Sequence, residues 1–113
     1  MKNSKNSLKL TLNRLPFQVM LSGEKKAEYR KPTDWIKSRL FNKDGSLKSI
    51  NTVEFTNGYG NHLPKFEVSF EGILIADKHE TITFSNGLKV EIEPGDLILR
   101  LGEILRIENI FEQ

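Results

Sequence analysis

Through most of the second half of this sequence, apolar side chains recur at every second position, a period that admits little but β-sheet. Val53 and Phe55 alternate with polar neighbours, and Phe66, Val68 and Phe70 alternate with Glu67, Ser69 and Glu71. Residues 81–84 and 88–92 are two further runs, and Leu97, Leu99 and Leu101 open a last, long one. Between the runs stand Asn57-Gly58-Tyr59-Gly60, Ser85-Asn86-Gly87 and Pro94-Gly95-Asp96, all rich in residues that favour turns. Gly72 predicts a bulge or bend before residues 73–75, and Gly102 an interruption of the last strand.

The first third mixes two periods. Leu8, Leu10 and Leu12 alternate as a strand, after which Asn13 has the side chain of a helix cap and Pro16 fits the first turn. Leu15, Phe17, Val19 and Met20 suit a short helix that Ser22-Gly23 would end. Residues 26–30 alternate again, Ala27 and Tyr29 facing one way, Tyr29 toward the core, and Lys26, Glu28 and Arg30 the other. Thr33 or Asp34 caps a second helix carrying Trp35, Ile36, Arg39 and Leu40, and residues 42–49, with Asp44-Gly45, form a loop or hairpin turn. Two early helices and about six strands predict an α+β fold built on a closed or nearly closed barrel.

A chain of 113 residues suits one core. The expectation is a flexible lead-in at residues 1–7 and a single domain over 8–113. The lead-in lacks the apolar centre of a signal peptide, and no later run is long enough to span a bilayer, so the sequence predicts a cytoplasmic protein without a membrane partner. With no cysteine, disulfides, thiolate metal sites and cysteine nucleophiles are excluded.

Charge is polarised along the chain. Residues 1–50 hold twelve Lys and Arg against four Asp and Glu, and residues 51–113 hold five against eleven. A polyanionic partner for the basic half accounts for this, and so does attraction between the two halves across the fold. The densest polar segment is Gly23-Glu24-Lys25-Lys26-Ala27-Glu28-Tyr29-Arg30. Strand rise puts Glu28 and Arg30 about 7 Å apart on one face. Arginine can fork onto phosphate or a base edge, lysine supplies a point charge, and glutamate accepts from a ring amine. Lys25, Glu28 and Arg30 are therefore the candidate ligand-binding trio; an exposed, salt-bridged strand has the same spacing, in which Arg30 merely neutralises Glu28. Tyr59, displayed between two glycines, and Trp35 and Arg39, four apart on a helix, are candidates for the rim of the same site, and Lys9 and Lys26 for general phosphate attraction.

Other patterns predict nothing catalytic. His62 and His79 are far apart and outside any ligand-spaced cluster, so neither a metal nor a cofactor is expected. Glu91, Glu93, Asp96 and Glu103 read as a solvated acidic face. Gly58-x-Gly60 lacks the helix and lysine that a phosphate loop needs.

The pattern Gly23-x-Lys25-x-x-Glu28-x-Arg30, after a strand and a short helix, resembles the signature of the ASCH domain family, which is related to PUA domains. Pro94-Gly95-Asp96 leading into Leu97-Ile98-Leu99 resembles that family's turn before a late barrel strand. Trp35-x-x-x-Arg39-Leu40 with Asn57-Gly58-Tyr59-Gly60 resembles small ASCH-like proteins of bacteria and phages. The resemblance covers residues 8–110. It implies a PUA-like β-barrel with helices at its side, a cleft lined by the Lys-Glu-Arg segment, and RNA or a nucleotide or nucleoside as ligand. Some ASCH-like proteins hydrolyse acetylcytidine with a lysine, a threonine nucleophile three residues later, and a glutamate from a later strand. Carried over, Lys25 matches the lysine, Glu28 stands where the threonine would be, and either Glu67 or Glu71 is the later glutamate. A carboxylate cannot be that hydroxyl nucleophile and would have to act as a general base toward water. The resemblance therefore implies a binding module, with a hydrolase acting on a modified nucleoside or on RNA as the alternative, in which Lys25 and Glu28 would be catalytic. A domain that binds an acidic protein is the third reading.

Overall fold

The computed structural model describes residues 6–60 and 62–110. Most of the expected lead-in, residues 1–5, and residues 111–113 lie outside them. Strand β1 (Ser7–Leu12) is followed by α1 (Arg14–Leu21), β2 (Ala27–Arg30), α2 (Asp34–Leu40), β3 (Thr52–Asn57), β4 (Lys65–Ile75), β5 (Glu80–Thr83), β6 (Lys89–Ile92) and β7 (Leu97–Glu108). The protein is α+β, with seven strands among the described residues where about six were expected. Ser7 opens β1 rather than closing the lead-in. Among the described residues no helix is long and apolar enough to cross a membrane.

Five strands form one curled sheet in the order β1-β3-β4-β7-β2, and β5 and β6 form a separate hairpin. The β1–β3 pair is parallel and the others antiparallel. The curl stops at a half-barrel: β1 and β2 are its two terminal strands and do not pair with each other. Across that gap the Arg30 guanidinium donates to the main-chain carbonyl of Thr11 at 3.2 Å.

The concave side carries the core. Leu8, Leu10 and Leu12 of β1, Val53 and Phe55 of β3, Phe66 and Val68 of β4, and Leu97, Leu99 and Leu101 of β7 are all buried. Helix α1 lays Phe17 and Met20 against them, the Phe17 ring meeting Phe66 edge-on at 5.1 Å between centroids, with Phe55 a further 5.5 Å from Phe66. Edge-to-face contact suits the positive rim and negative face of aromatic rings. Asn13 precedes α1 as expected, but its side chain makes no cap bond. Thr33 does cap α2, accepting from the Ile36 N–H at 3.2 Å.

Strand β2 reverses one expectation. Glu28 registers on Leu99 and Arg30 on Leu97, so the charged pair faces the interior of the half-barrel, while Tyr29 registers on Ile98 and faces outward, half-buried. The alternation was right; the side taken as core was the wrong one, because only the pairing with β7 decides it.

Hairpin β5–β6 is held against α1 by its turn. The Glu24 carboxylate accepts from the Ser85 N–H at 2.9 Å and hydroxyl at 2.6 Å, and the Asn86 amide donates to the Leu15 carbonyl at 3.0 Å. Those Ser85 donors hold the Glu24 carboxyl below its usual range. Asp96, expected on a solvated face, is instead buried as a latch: it accepts from Lys31 at 2.8 Å and from the Glu93 N–H at 2.8 Å, which together lower its pKa.

The bulge expected at Gly72 is present, as a register shift between β4 and β7. Gly102 leaves β7 continuous to Glu108, but the ladder to β4 bulges there, Phe70 pairing with Leu101 and Val68 with Ile104. A Cβ there would run into the Ser69 hydroxyl and the Glu71 carboxylate. Ser69 already accepts from the Glu103 N–H at 3.0 Å, so it cannot turn away without losing that bond. Gly102→Ala is expected to lower the unfolding free energy by about 1–3 kcal/mol. Urea titration of both proteins checks this, and equal midpoints would mean that the bulge absorbs a methyl freely.

Candidate functional site

The gap between the terminal strands opens as a cleft of about 410 Å³, with Lys25, Glu28, Arg30 and Tyr59 in its lining. Each arrives by a local cause. Gly23 takes a positive φ of 90° to end α1, and the Lys25 N–H then returns to the Val19 carbonyl at 2.9 Å, turning the lysine inward. Strand β2 aims Glu28 and Arg30 to the same side. Gly58 and Gly60, at φ of 88° and 131°, make the turn that projects Tyr59 into solvent, 88% exposed.

The trio is one ion-pair network. The Lys25 ammonium donates to Glu28 Oε1 at 2.9 Å and to the Ala27 carbonyl at 2.7 Å, and lies 5.3 Å from the centre of the Tyr29 ring. Arg30 Nε donates to Glu28 Oε2 at 2.6 Å. Lys25 and Glu28 are buried and Arg30 is partly exposed. Loss of water lowers the Lys25 pKa; Glu28 acts to raise it, and Arg30 adds to the lowering. Tyr29 moves the other way, burial and then the charges of Glu80 and Glu28 raising its pKa.

Two cations against one carboxylate leave the cleft an excess of one positive charge. Both Glu28 oxygens are already engaged, whereas Arg30 spends only Nε and one terminal nitrogen on protein acceptors among the described residues. Such a site can receive an anion on the guanidinium and a flat group against Tyr59. Leu88 and Val90, brought by the β5–β6 hairpin, and the Thr11 carbonyl also belong to the wall. Sequence reasoning missed all three, since nothing near residue 25 marks the hairpin as a neighbour.

The remaining candidates separate. Trp35 and Arg39, expected at the rim of this cleft, line a different groove, because α2 runs toward the start of β1 rather than its end. Glu71 shares a cleft of about 440 Å³ with Lys25 and Lys26. Glu67 lies on the outer face of the sheet, accepting from the Thr52 hydroxyl at 2.5 Å with Arg106 3.4 Å away. His62 and His79 are exposed, and His79 contacts Glu91 at 3.0 Å.

Compared with known proteins, the chain matches no family model, no curated sequence and no solved structure.

Proposed function

We propose that this chain is an RNA- or nucleotide-binding module of the ASCH type, a PUA-like domain acting in the cytoplasm, with Lys25, Glu28, Arg30 and Tyr59 as its ligand contacts. The observation that carries the reading is the inward-facing network of Lys25, Glu28 and Arg30 beneath an exposed tyrosine, in a cleft of about 410 Å³. The motif resemblance supplies the ligand class. Buried ions are costly to desolvate, so a fold that only needed to be stable gains little from this trio. Binding is favoured over hydrolysis because Glu28 occupies the position of the threonine nucleophile and has both oxygens in ion pairs.

The test is the salt dependence of RNA binding. Affinity for a labelled single-stranded RNA is expected to fall about 20-fold between about 50 and 200 mM salt, the slope for roughly three engaged phosphates. Binding near zero at every salt concentration, for several RNA and DNA oligomers, would end the proposal. Release of cytidine from acetylcytidine by the purified protein would replace it with the hydrolase.

A further inference from the structure

A second groove, of about 800 Å³, opens at the beginning of β1, between that strand, α2 and the loop after it. Lys9, Arg39 and Lys48 line it, and among the described residues none in its lining is acidic. The Arg39 guanidinium lies 5.0 Å from the centre of the Trp35 ring, and Trp35 stays 51% exposed. Among the described residues Lys9 forms one ion pair, with Glu54 at 3.7 Å, from a side chain 72% exposed. Of these three cations Glu54, from the acidic half, reaches Lys9 alone; among the described residues Arg39 and Lys48 form no ion pair. An exposed indole beside Arg39 and Lys48 is suited to stacking a base while the cations meet phosphates.

Both openings share β1. Leu8 and Lys9 line the second groove, Thr11 and Leu12 line the Tyr59 cleft, and β1 is a terminal strand of the sheet. Strand rise makes the span from Leu8 to Leu12 about 13 Å. That is the length of about four nucleotides at a stacked spacing of about 3.4 Å.

We infer that the ligand is a single-stranded oligonucleotide lying along β1, with one base at Tyr59 and another, several nucleotides away, on Trp35. This rests on the nucleic-acid reading above and adds to it a strand, rather than a mononucleotide, as the natural ligand.

Trp35 is the sole tryptophan, so its fluorescence reports the second contact directly. A hexaribonucleotide is expected to quench it and to bind at least about tenfold more tightly than a ribonucleoside monophosphate. By calorimetry, Trp35→Leu should weaken hexamer binding about 5- to 150-fold, the range of one lost base stack, and leave the mononucleotide where it was. Arg39→Gln, which keeps the indole, should weaken the hexamer and flatten its salt dependence. Tyr59→Ala should weaken both ligands. Equal affinity for hexamer and mononucleotide, or a hexamer indifferent to Trp35→Leu and Arg39→Gln, overturns the inference and leaves the nucleotide site standing. So does a hexaglutamate peptide that competes as well as the hexamer, which would assign the groove to an acidic protein. If neither nucleotide ligand binds, the nucleic-acid reading fails and this inference with it.

Discussion

Replacing Glu28 by leucine is expected to lower the unfolding free energy by about 3–5 kcal/mol, because it leaves the buried Lys25 ammonium without its counter-charge. The size of the defect should depend on pH in a definite direction. Loss of water already holds the Lys25 pKa below the ordinary lysine range, against the raising influence of Glu28. A lysine depressed in the folded state binds fewer protons there than in the unfolded chain, between its folded value and about 10.4. Stability therefore rises with pH through that window. Removing Glu28 extends the window downward, so the variant should gain more than the wild type between about pH 7 and pH 9.5. Urea denaturation at both values measures this. A gap between the two proteins that stays constant with pH would show that Lys25 is not the group left stranded.

Removing both partners together should separate stability from binding. In Lys25→Met/Glu28→Leu no ammonium or carboxylate is left to desolvate, and Arg30, partly exposed, can turn its freed Nε to water. Apolar replacement of a buried pair is commonly neutral or stabilising by about 1–4 kcal/mol, so the double variant should equal or exceed the wild type. Affinity for single-stranded RNA should drop by about 100-fold or more, since two charge-assisted contacts of about 1.5 kcal/mol each are lost from the cleft. A double variant that is stable and still binds RNA at full strength would strip the trio of its role.

These opposite expectations arise from one misplaced surface in the sequence reading. Alternation through residues 26–30 identified correctly which side chains share a face. It could not say which face is interior, because that depends on Glu28 meeting Leu99 and Arg30 meeting Leu97, some seventy positions away. Tyr29, the natural candidate for the core, was the residue displaced. Turn chemistry carried further. Gly23, Gly58 and Gly95 adopt the positive φ their contexts demanded, and the display of Tyr59 followed from its flanking glycines alone. The separation of Trp35 and Arg39 from the cleft was not legible, since the path of α2 is set by packing of Ile36 and Leu40 into the common core. Nor was the choice between Glu67 and Glu71. They are four apart on a strand that passes a bulge, and only Glu71 emerges beside Lys25.

The pairing of β2 also bears on synthesis. Its four residues find their sheet partner only in residues 97–100, while Leu12 and Tyr59, on the cleft's other side, belong to parts of the chain made much earlier. A ribosome that has just passed Arg30 must add roughly seventy more residues, several seconds of elongation, before that partner exists. Throughout that interval Glu28 and Arg30 are solvated charges on an unpaired segment. The inward placement of Glu28 and Arg30 beside Tyr59 is therefore among the last features of the molecule to form.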